Sequence, residues 1–448
     1  MSALAIRDVL VINEGRRTET DVLFQDGRIA QIGGGISLPA GAREIDGSGK
    51  WLLPGVIDDQ VHFRDYDLSY KATIASESRA AAAGGVTSYM EMPNTKPPTT
   101  NWQAWREKTA LGGRDSVVNY AFYIGATNEN AEEVLTSIPE GEICGLKIFM
   151  GSSTGNMLVD HAEVLECFYG DWPGLIATHC EDEATVRQSL AEAKKRYPEG
   201  IPPEAHPVVR NHDACFKSSS MAIEMARQFN TRLHILHLTT AQEVGQFSDG
   251  PLEEKRITAE VCVHHLTFSQ DDYPELGFQI KCNPAIKSAR DRDALWQGLA
   301  DGRIDVIATD HAPHTREEKQ TTEYDQATAG LPLIQHPLGL MLAHVDAGRI
   351  TVEDCVKFMS HRVADCYRVV DRGYLREGYW ADAVLVDPSK KPEVRQADLK
   401  YKCGWSPLEG RRLGGEISHT FVNGEAVYEA GEITCETAAQ PLRFQSHR

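Results

Sequence analysis

Long apolar runs are missing from this chain of 448 residues, and a bilayer-spanning helix needs about 20 of them in succession. No membrane span is expected. Basic residues are also scarce. The 46 Lys and Arg stand against 65 Asp and Glu, a formal net charge of −19, with no extended basic run. Nucleic acids and anionic membrane surfaces are held by clustered Lys and Arg, so both partner classes are excluded. The opening Met1-Ser2-Ala3-Leu4-Ala5-Ile6-Arg7-Asp8 lacks the basic segment and apolar core of a secretory leader, and a cytoplasmic location is the expectation. Ten cysteines are scattered without a Cys-x-x-Cys pair, which excludes a disulfide scaffold in so long a chain. Cys180 and Cys282 each adjoin a residue of interest, but strand neighbours point to opposite faces, so both read as packing.

What is present is an alternation of short apolar runs with helical patterns. Strands are predicted at 86–92, 145–150, 175–179, 233–238 and 304–310, and helices at 76–83, 183–195, 218–229 and 291–299. Such repetition over some 300 residues predicts a parallel α/β architecture, and a closed (β/α)₈ barrel fits the length. A doubly wound open sheet normally carries a glycine-rich phosphate turn after its first strand, and none is found there. Both ends differ in texture from the middle. Residues 8–13 and 20–32, with an Asp26-Gly27 hairpin signal, and residues 381–387 and 418–428 read as strands and turns. The division is therefore residues 1–52 and 375–448 pairing into one small β domain, a β-sandwich, with residues 53–374 forming the barrel.

Polar residues fall where a barrel needs them. Arg64, Asn94, Lys147, His179, His237, Asn283 and Asp310 are each placed at or just beyond the end of a candidate strand, the face on which barrel loops build active sites. His62, His179, His237 and Asp310 supply the imidazole and carboxylate ligands that zinc-like ions take from separate elements. The run Leu53-Pro54-Gly55-Val56-Ile57-Asp58-Asp59-Gln60-Val61-His62-Phe63-Arg64 reads as a metal loop of the His-x-His kind with Gln60 at the first ligand position. Lys147, inside an apolar run, cannot ligate as an ammonium, although addition of CO₂ to the amine would give an anionic carbamate able to bridge two ions. Asp310 opens Asp310-His311-Ala312-Pro313-His314 and is the candidate proton shuttle. Arg64 favours a substrate carboxylate, with Asn94, Asn283 and His314 adding polar contacts. The segment 330–337 is expected to form part of a loop over the site.

These pieces resemble the amidohydrolase superfamily and, within it, the dihydroorotase family. The resemblance is carried by Val61-His62-Phe63-Arg64, Met92-Pro93-Asn94-Thr95, Gly145-Leu146-Lys147-Ile148-Phe149-Met150-Gly151, His179-Cys180-Glu181, His234-Ile235-Leu236-His237, Asn283-Pro284 and Thr309-Asp310-His311-Ala312-Pro313-His314. It spans nearly the whole chain. It implies a (β/α)₈ barrel with a small β-sandwich, one or two zinc ions per subunit, and interconversion of L-dihydroorotate and N-carbamoyl-L-aspartate. His62 would bind the more buried ion, Lys147 would be the carboxylated bridge, His179 and His237 would bind the second ion, and Asp310 would be ligand and shuttle. Arg64, Asn94 and His314 would grip the substrate carboxylate, and Asn283 would contact the ring. A homodimer is compatible with the family. Two departures stand out: Gln60 for histidine, which resembles a bacterial subgroup of the family, and Arg64-Asp65-Tyr66-Asp67 where Arg-Glu-Pro-Gly is usual. They leave two alternatives open: hydrolysis of another cyclic ureide, as by hydantoinases or allantoinases, and a catalytically silent subunit that supports aspartate transcarbamoylase.

Overall fold

The computed structural model describes residues 3–151 and 157–445. Eight parallel strand positions form the central barrel: Val56–Val61, Val86–Glu91, Asn119–Phe122 continued by Ile124–Gly125, Leu146–Phe149, Leu175–His179, Arg232–Ile235, Ile257–Cys262 and Val306–Ala308. Neighbours pair in that order. The ring closes where Val61 bridges His311 in parallel and the His62 N–H donates to the His311 carbonyl at 2.7 Å. The fold is the expected (β/α)₈ barrel.

Local sequence explains the helix boundaries. Thr73 caps Ile74–Ala83 in a capping box with Ser76, and the small side chains of Ala80, Ala81 and Ala82 let that helix lie flat on the barrel, fully buried. His212–Phe229 starts six residues before the predicted 218, because Asn211 accepts the Ala214 N–H and satisfies its first turn. Asn230, in the left-handed region, ends it.

The two ends of the chain share one nine-stranded sheet. Its order runs from Glu432–Ile433 through Glu425–Glu429, Glu416–Val422, Ala383–Asp387, Trp51–Pro54, Ala3–Asn13 and Arg16–Gln25 to Arg28–Gly33, with Arg43–Asp46 pairing beside Ala3–Asn13. Phe24 and Phe421 lie on strands separated by three others, yet their rings meet edge to face at 5.4 Å. The sheet is thus folded over on itself, with Ile6, Val22, Ile29, Leu52, Leu385 and Phe421 between its halves. A buried polar joint fastens it to the barrel. Arg372 contacts Asp382 and Asn423, and Asn423 and Asp382 both bond Asn119 of the third barrel strand. Among the described residues no helix is long and apolar enough to cross a membrane, and all ten cysteines are unpaired.

Candidate functional site

The strand ends on one face of the barrel open into a cavity of about 380 Å³, a size suited to a small molecule. Gln60, His62, Arg64, Asn94, Lys147, His179, His237, Asn283, Asp310 and His314 all line it. Every candidate read from the sequence is therefore brought to one place. Three of them leave their strands with left-handed backbone, Arg64 at φ 75°, His237 at φ 39° and Asp310 at φ 46°. L-residues rarely adopt that region, and such strain persists where a side chain must be aimed.

Two pairs of ligand atoms face the cavity. His62 Nδ1 bonds Asn94 Oδ1 at 2.7 Å, which leaves Nε2 turned to Asp310 Oδ1 at 3.1 Å. His179 Nε2 bonds Glu181 Oε2 at 3.0 Å, which leaves Nδ1 turned to His237 Nε2 at 3.1 Å. An imidazole held by a carboxylate or amide oxygen on one nitrogen and free on the other is the usual state of a metal-binding histidine. About 3.4 Å also separates neighbouring donor atoms around a tetrahedral ion with 2.0–2.1 Å bonds. The donor set therefore fits a metal ion. Burial pushes His62 and His179 below the ordinary histidine pKa and His237 well below it, so all three are neutral lone-pair donors at pH 7.

The charged residues around them are tuned by burial and by each other. Lys147 is 1 % exposed, its amine 4.5 Å from the Phe149 ring centre, and burial brings its pKa down to about 7. Burial alone would raise the Asp310 carboxyl, but its neighbours His62, His264 and Lys147 hold it below its ordinary value. Gln60 donates its amide to the same Asp310 oxygen at 3.2 Å. Two residues beyond His62, Arg64 donates to the Pro313 carbonyl at 3.1 Å and lies 3.1 Å from His314 Nε2. Lys71 Nζ reaches His314 Nδ1 at 2.9 Å. His314, pushed well below its ordinary pKa first by burial and then by Arg64, is a neutral member of a basic wall. The Asn283 Oδ1 is buried without a hydrogen-bond partner, free for a ligand donor.

Several expectations are corrected in detail. Asn283 does not follow a strand end directly. It lies in the loop after the turn of helix Gly277–Ile280, well past the strand Ile257–Cys262. His311 points away from the cavity: its Nε2 bonds Glu77 at 2.8 Å and its Nδ1 accepts the Leu333 and Ile334 N–H groups. Residues 331–334 are thereby tied to the barrel wall rather than laid over the cavity, which only Thr328, Ala329 and Gly330 of that region reach. Gly330 has φ 141° and a Cβ there would sit 2.4 Å from the Ala312 carbonyl, so no larger residue fits. Lys71 and Arg210 were not singled out in the sequence, because lone basic residues outside strand ends carry no periodic or motif signal. Arg210 pairs with Glu181. Burial would raise that carboxyl, but Arg210 and His179 hold it well below the usual carboxylate range.

The comparisons with known proteins agree with this geometry. The profile of the amidohydrolase family matches residues 51–427. A dihydroorotase of Halobacterium salinarum is 34% identical over 436 residues, covering 96% of this chain and 97% of its own. An allantoinase of Streptomyces avermitilis is 29% identical over 437 residues, covering 96% of each. Among solved structures, the L-hydantoinase of Arthrobacter aurescens superposes with a TM-score of 0.93 at 26% identity, over 99% of this chain and all of that one.

Proposed function

This chain belongs to the amidohydrolase family, and from that premise we propose that it is a zinc-dependent dihydroorotase, interconverting L-dihydroorotate and N-carbamoyl-L-aspartate. The observation that carries the reading is one cavity in which two pairs of metal-donor atoms, His62 with Asp310 and His179 with His237, share the lining with a wall made by the Arg64 guanidinium and the neutral His314. That wall is what a ring bearing a carboxylate needs, and neither hydantoin nor allantoin carries one.

In this reading His62 and Asp310 would hold one ion and His179 and His237 another, with Lys147, as its carbamate, supplying an anionic ligand. A pKa of about 7 keeps a good part of the Lys147 amine unprotonated at neutral pH, the form that adds to CO₂. Bound there, zinc would supply Lewis acidity toward the ring carbonyl and make the attacking water more acidic. Arg64 grips the substrate carboxylate, the amide nitrogen of Asn94 and the His314 edge complete that grip, and Asn283 Oδ1 accepts a ring N–H. Asp310 takes the proton of the attacking water and returns it to the leaving ring nitrogen. Gln60 supports this by donating to Asp310, keeping the carboxylate aimed.

The test is ring opening of L-dihydroorotate by purified protein of known zinc content, with hydantoin and allantoin alongside and Asp310→Ala as control. Turnover of dihydroorotate that disappears in the variant is the expected result. Turnover of an uncharged ureide instead would favour the activity for which the Streptomyces relative is named. Folded, zinc-supplemented protein without turnover on any of them would favour a silent subunit, and co-purification with aspartate transcarbamoylase is then the next measurement.

A further inference from the structure

Below the cavity, and outside its lining, the barrel interior holds a second group of chemistry-bearing side chains that the reaction above does not use. Asp59, His234 and Glu260 come from the first, sixth and seventh strand positions and are all fully buried. Their donor atoms lie within 4.8 Å of one another. Asp59 Oδ2 is 3.4 Å and Glu260 Oε2 is 3.8 Å from His234 Nε2. Those separations are too long for charge-assisted hydrogen bonds, which run to about 2.9 Å. Both Asp59 carboxylate oxygens, Glu260 Oε2 and His234 Nε2 are buried without a hydrogen-bond partner.

The surroundings fix how these groups point. The Thr258 hydroxyl donates to the Leu233 carbonyl at 3.3 Å, so at 2.7 Å from His234 Nδ1 its oxygen accepts the imidazole N–H. Nε2 is then the nitrogen turned to the two carboxylates, and against the effect of burial Cys366, Asp59 and Glu260 raise the imidazole well above its ordinary pKa. Glu260 Oε1 is occupied by the His237 N–H at 3.0 Å, which turns Oε2 inward. Tyr123, donating to the Asp59 carbonyl at 3.0 Å, holds that stretch of strand in place. Two carboxylates turned toward one another in a dry interior repel unless a cation, a proton on the imidazole or a metal ion, stands between them. Two carboxylates, with an imidazole that gives up its proton to the incoming metal, balance the charge of one divalent ion. The separation of about 3.4 Å expected between donors of a tetrahedral site with bonds near 2.0–2.1 Å is that of Asp59 and His234.

We propose that Asp59, His234 and Glu260 bind a divalent cation of the zinc class inside the barrel, in a closed structural site distinct from the catalytic cavity. The position is next in sequence to Gln60. Where the strand has lost an imidazole facing the cavity, it carries a carboxylate facing the interior.

The test is metal per chain by mass spectrometry after full-length protein, grown with zinc, is dialysed against dipicolinic acid. The open cavity exchanges its metal with the chelator and the closed site does not. About one equivalent is expected to remain in the wild type and in His179→Asn, and to be lost in Asp59→Asn and Glu260→Gln. No chelator-resistant metal in the wild type would overturn the proposal, leaving protons as what closes the cluster. So would an unchanged residue of metal in both carboxylate variants. If those variants fail to fold, zinc-edge anomalous diffraction from wild-type crystals decides, by a peak among the three side chains or its absence. Dihydroorotate turnover is read separately, so a resistant metal in an inactive protein would sink the proposed activity and not this site.

Discussion

The joint between barrel and sheet and the interior of the barrel mouth are both buried and both rich in charge, yet they are built on opposite terms. In the joint, Arg372 and Asp382 are each under 5 % exposed, and none of Arg372, Asp382, Asn423 and Asn119 leaves a buried side-chain atom without a partner. Around the cavity and under it, Asp59, His234, His237, Glu260 and Asn283 do leave such atoms. A satisfied buried network contributes rigidity and has nothing left to offer a ligand. An unsatisfied one costs stability, and persists where something outside the polypeptide completes it. Burial and charge alone would have ranked the two regions equal; partner accounting separates them.

The sharpest way to break that comparison is to remove one carboxylate from each region. Asp310→Asn should lower dihydroorotate turnover by about 10²–10⁴-fold, the range for losing a positioned proton carrier, with an unchanged urea midpoint. Asp382→Asn should do the reverse. It strands Arg372 without its counter-charge, so unfolding in urea should show a loss of about 3–5 kcal/mol, while kcat per folded molecule stays the same. If Asp382→Asn loses activity at full stability, the distinction drawn here fails. Next in size is Arg64→Lys. A charge is kept but the two-pronged grip on a carboxylate is lost, and KM should rise about 10–100-fold, equivalent to the roughly 1.5–3 kcal/mol of a hydrogen bond to a charged group, with kcat little changed.

Acid titration sharpens the same contrast. A histidine pushed below its ordinary pKa stays neutral as pH falls through 6.5 and takes up its proton only at lower pH. Burial pushes His62, His179 and His237 in that direction. Metal content, measured after equilibration at stepwise lower pH, should therefore hold through pH 6.5 and decline only below it. Loss of metal centred at 6.5 or above would show imidazoles exposed to solvent.

Much of this is legible in the sequence. The strands that lead to His179 and Asp310 announce themselves as apolar runs closed by a polar residue, Lys147 stands out as the polar residue inside the apolar strand Leu146–Phe149, and the two β-rich ends carry their own turn signals. What stayed hidden has physical reasons. The strand Ile257–Cys262 escaped because Glu260 breaks its apolar pattern, and a carboxylate buried inside a barrel looks in sequence like one facing water. Asn119–Phe122 is four residues long and polar at its start. Asn283 lined the cavity as expected but from a loop, since a loop can reach the mouth from any length. His311 shares a motif with Asp310 and His314 yet turns outward, because successive residues at a strand end face opposite ways. The cluster of Asp59, His234 and Glu260 unites three strands across the barrel, a proximity no local spacing encodes.

The smallest predicted change concerns Gln60, which stands between the two kinds of region. It is buried and satisfied, its amide nitrogen bonded to Asp310, yet it occupies a position facing the cavity. As a neutral amide it is a weak zinc ligand beside an imidazole. Gln60→His should add a donor next to His62 Nε2 and Asp310 Oδ1 and tighten the metal by about tenfold, or about 1.4 kcal/mol, read by competition with a chromophoric chelator. Catalysis need not improve, because the new imidazole takes away the amide N–H that holds the Asp310 carboxylate in aim. Tighter metal with equal or lower kcat is thus the expected pairing. Unchanged metal affinity in a folded variant would mean that position 60 does not face the ion, and Gln60 would then belong with the joint residues, a group whose bonds are complete within the chain.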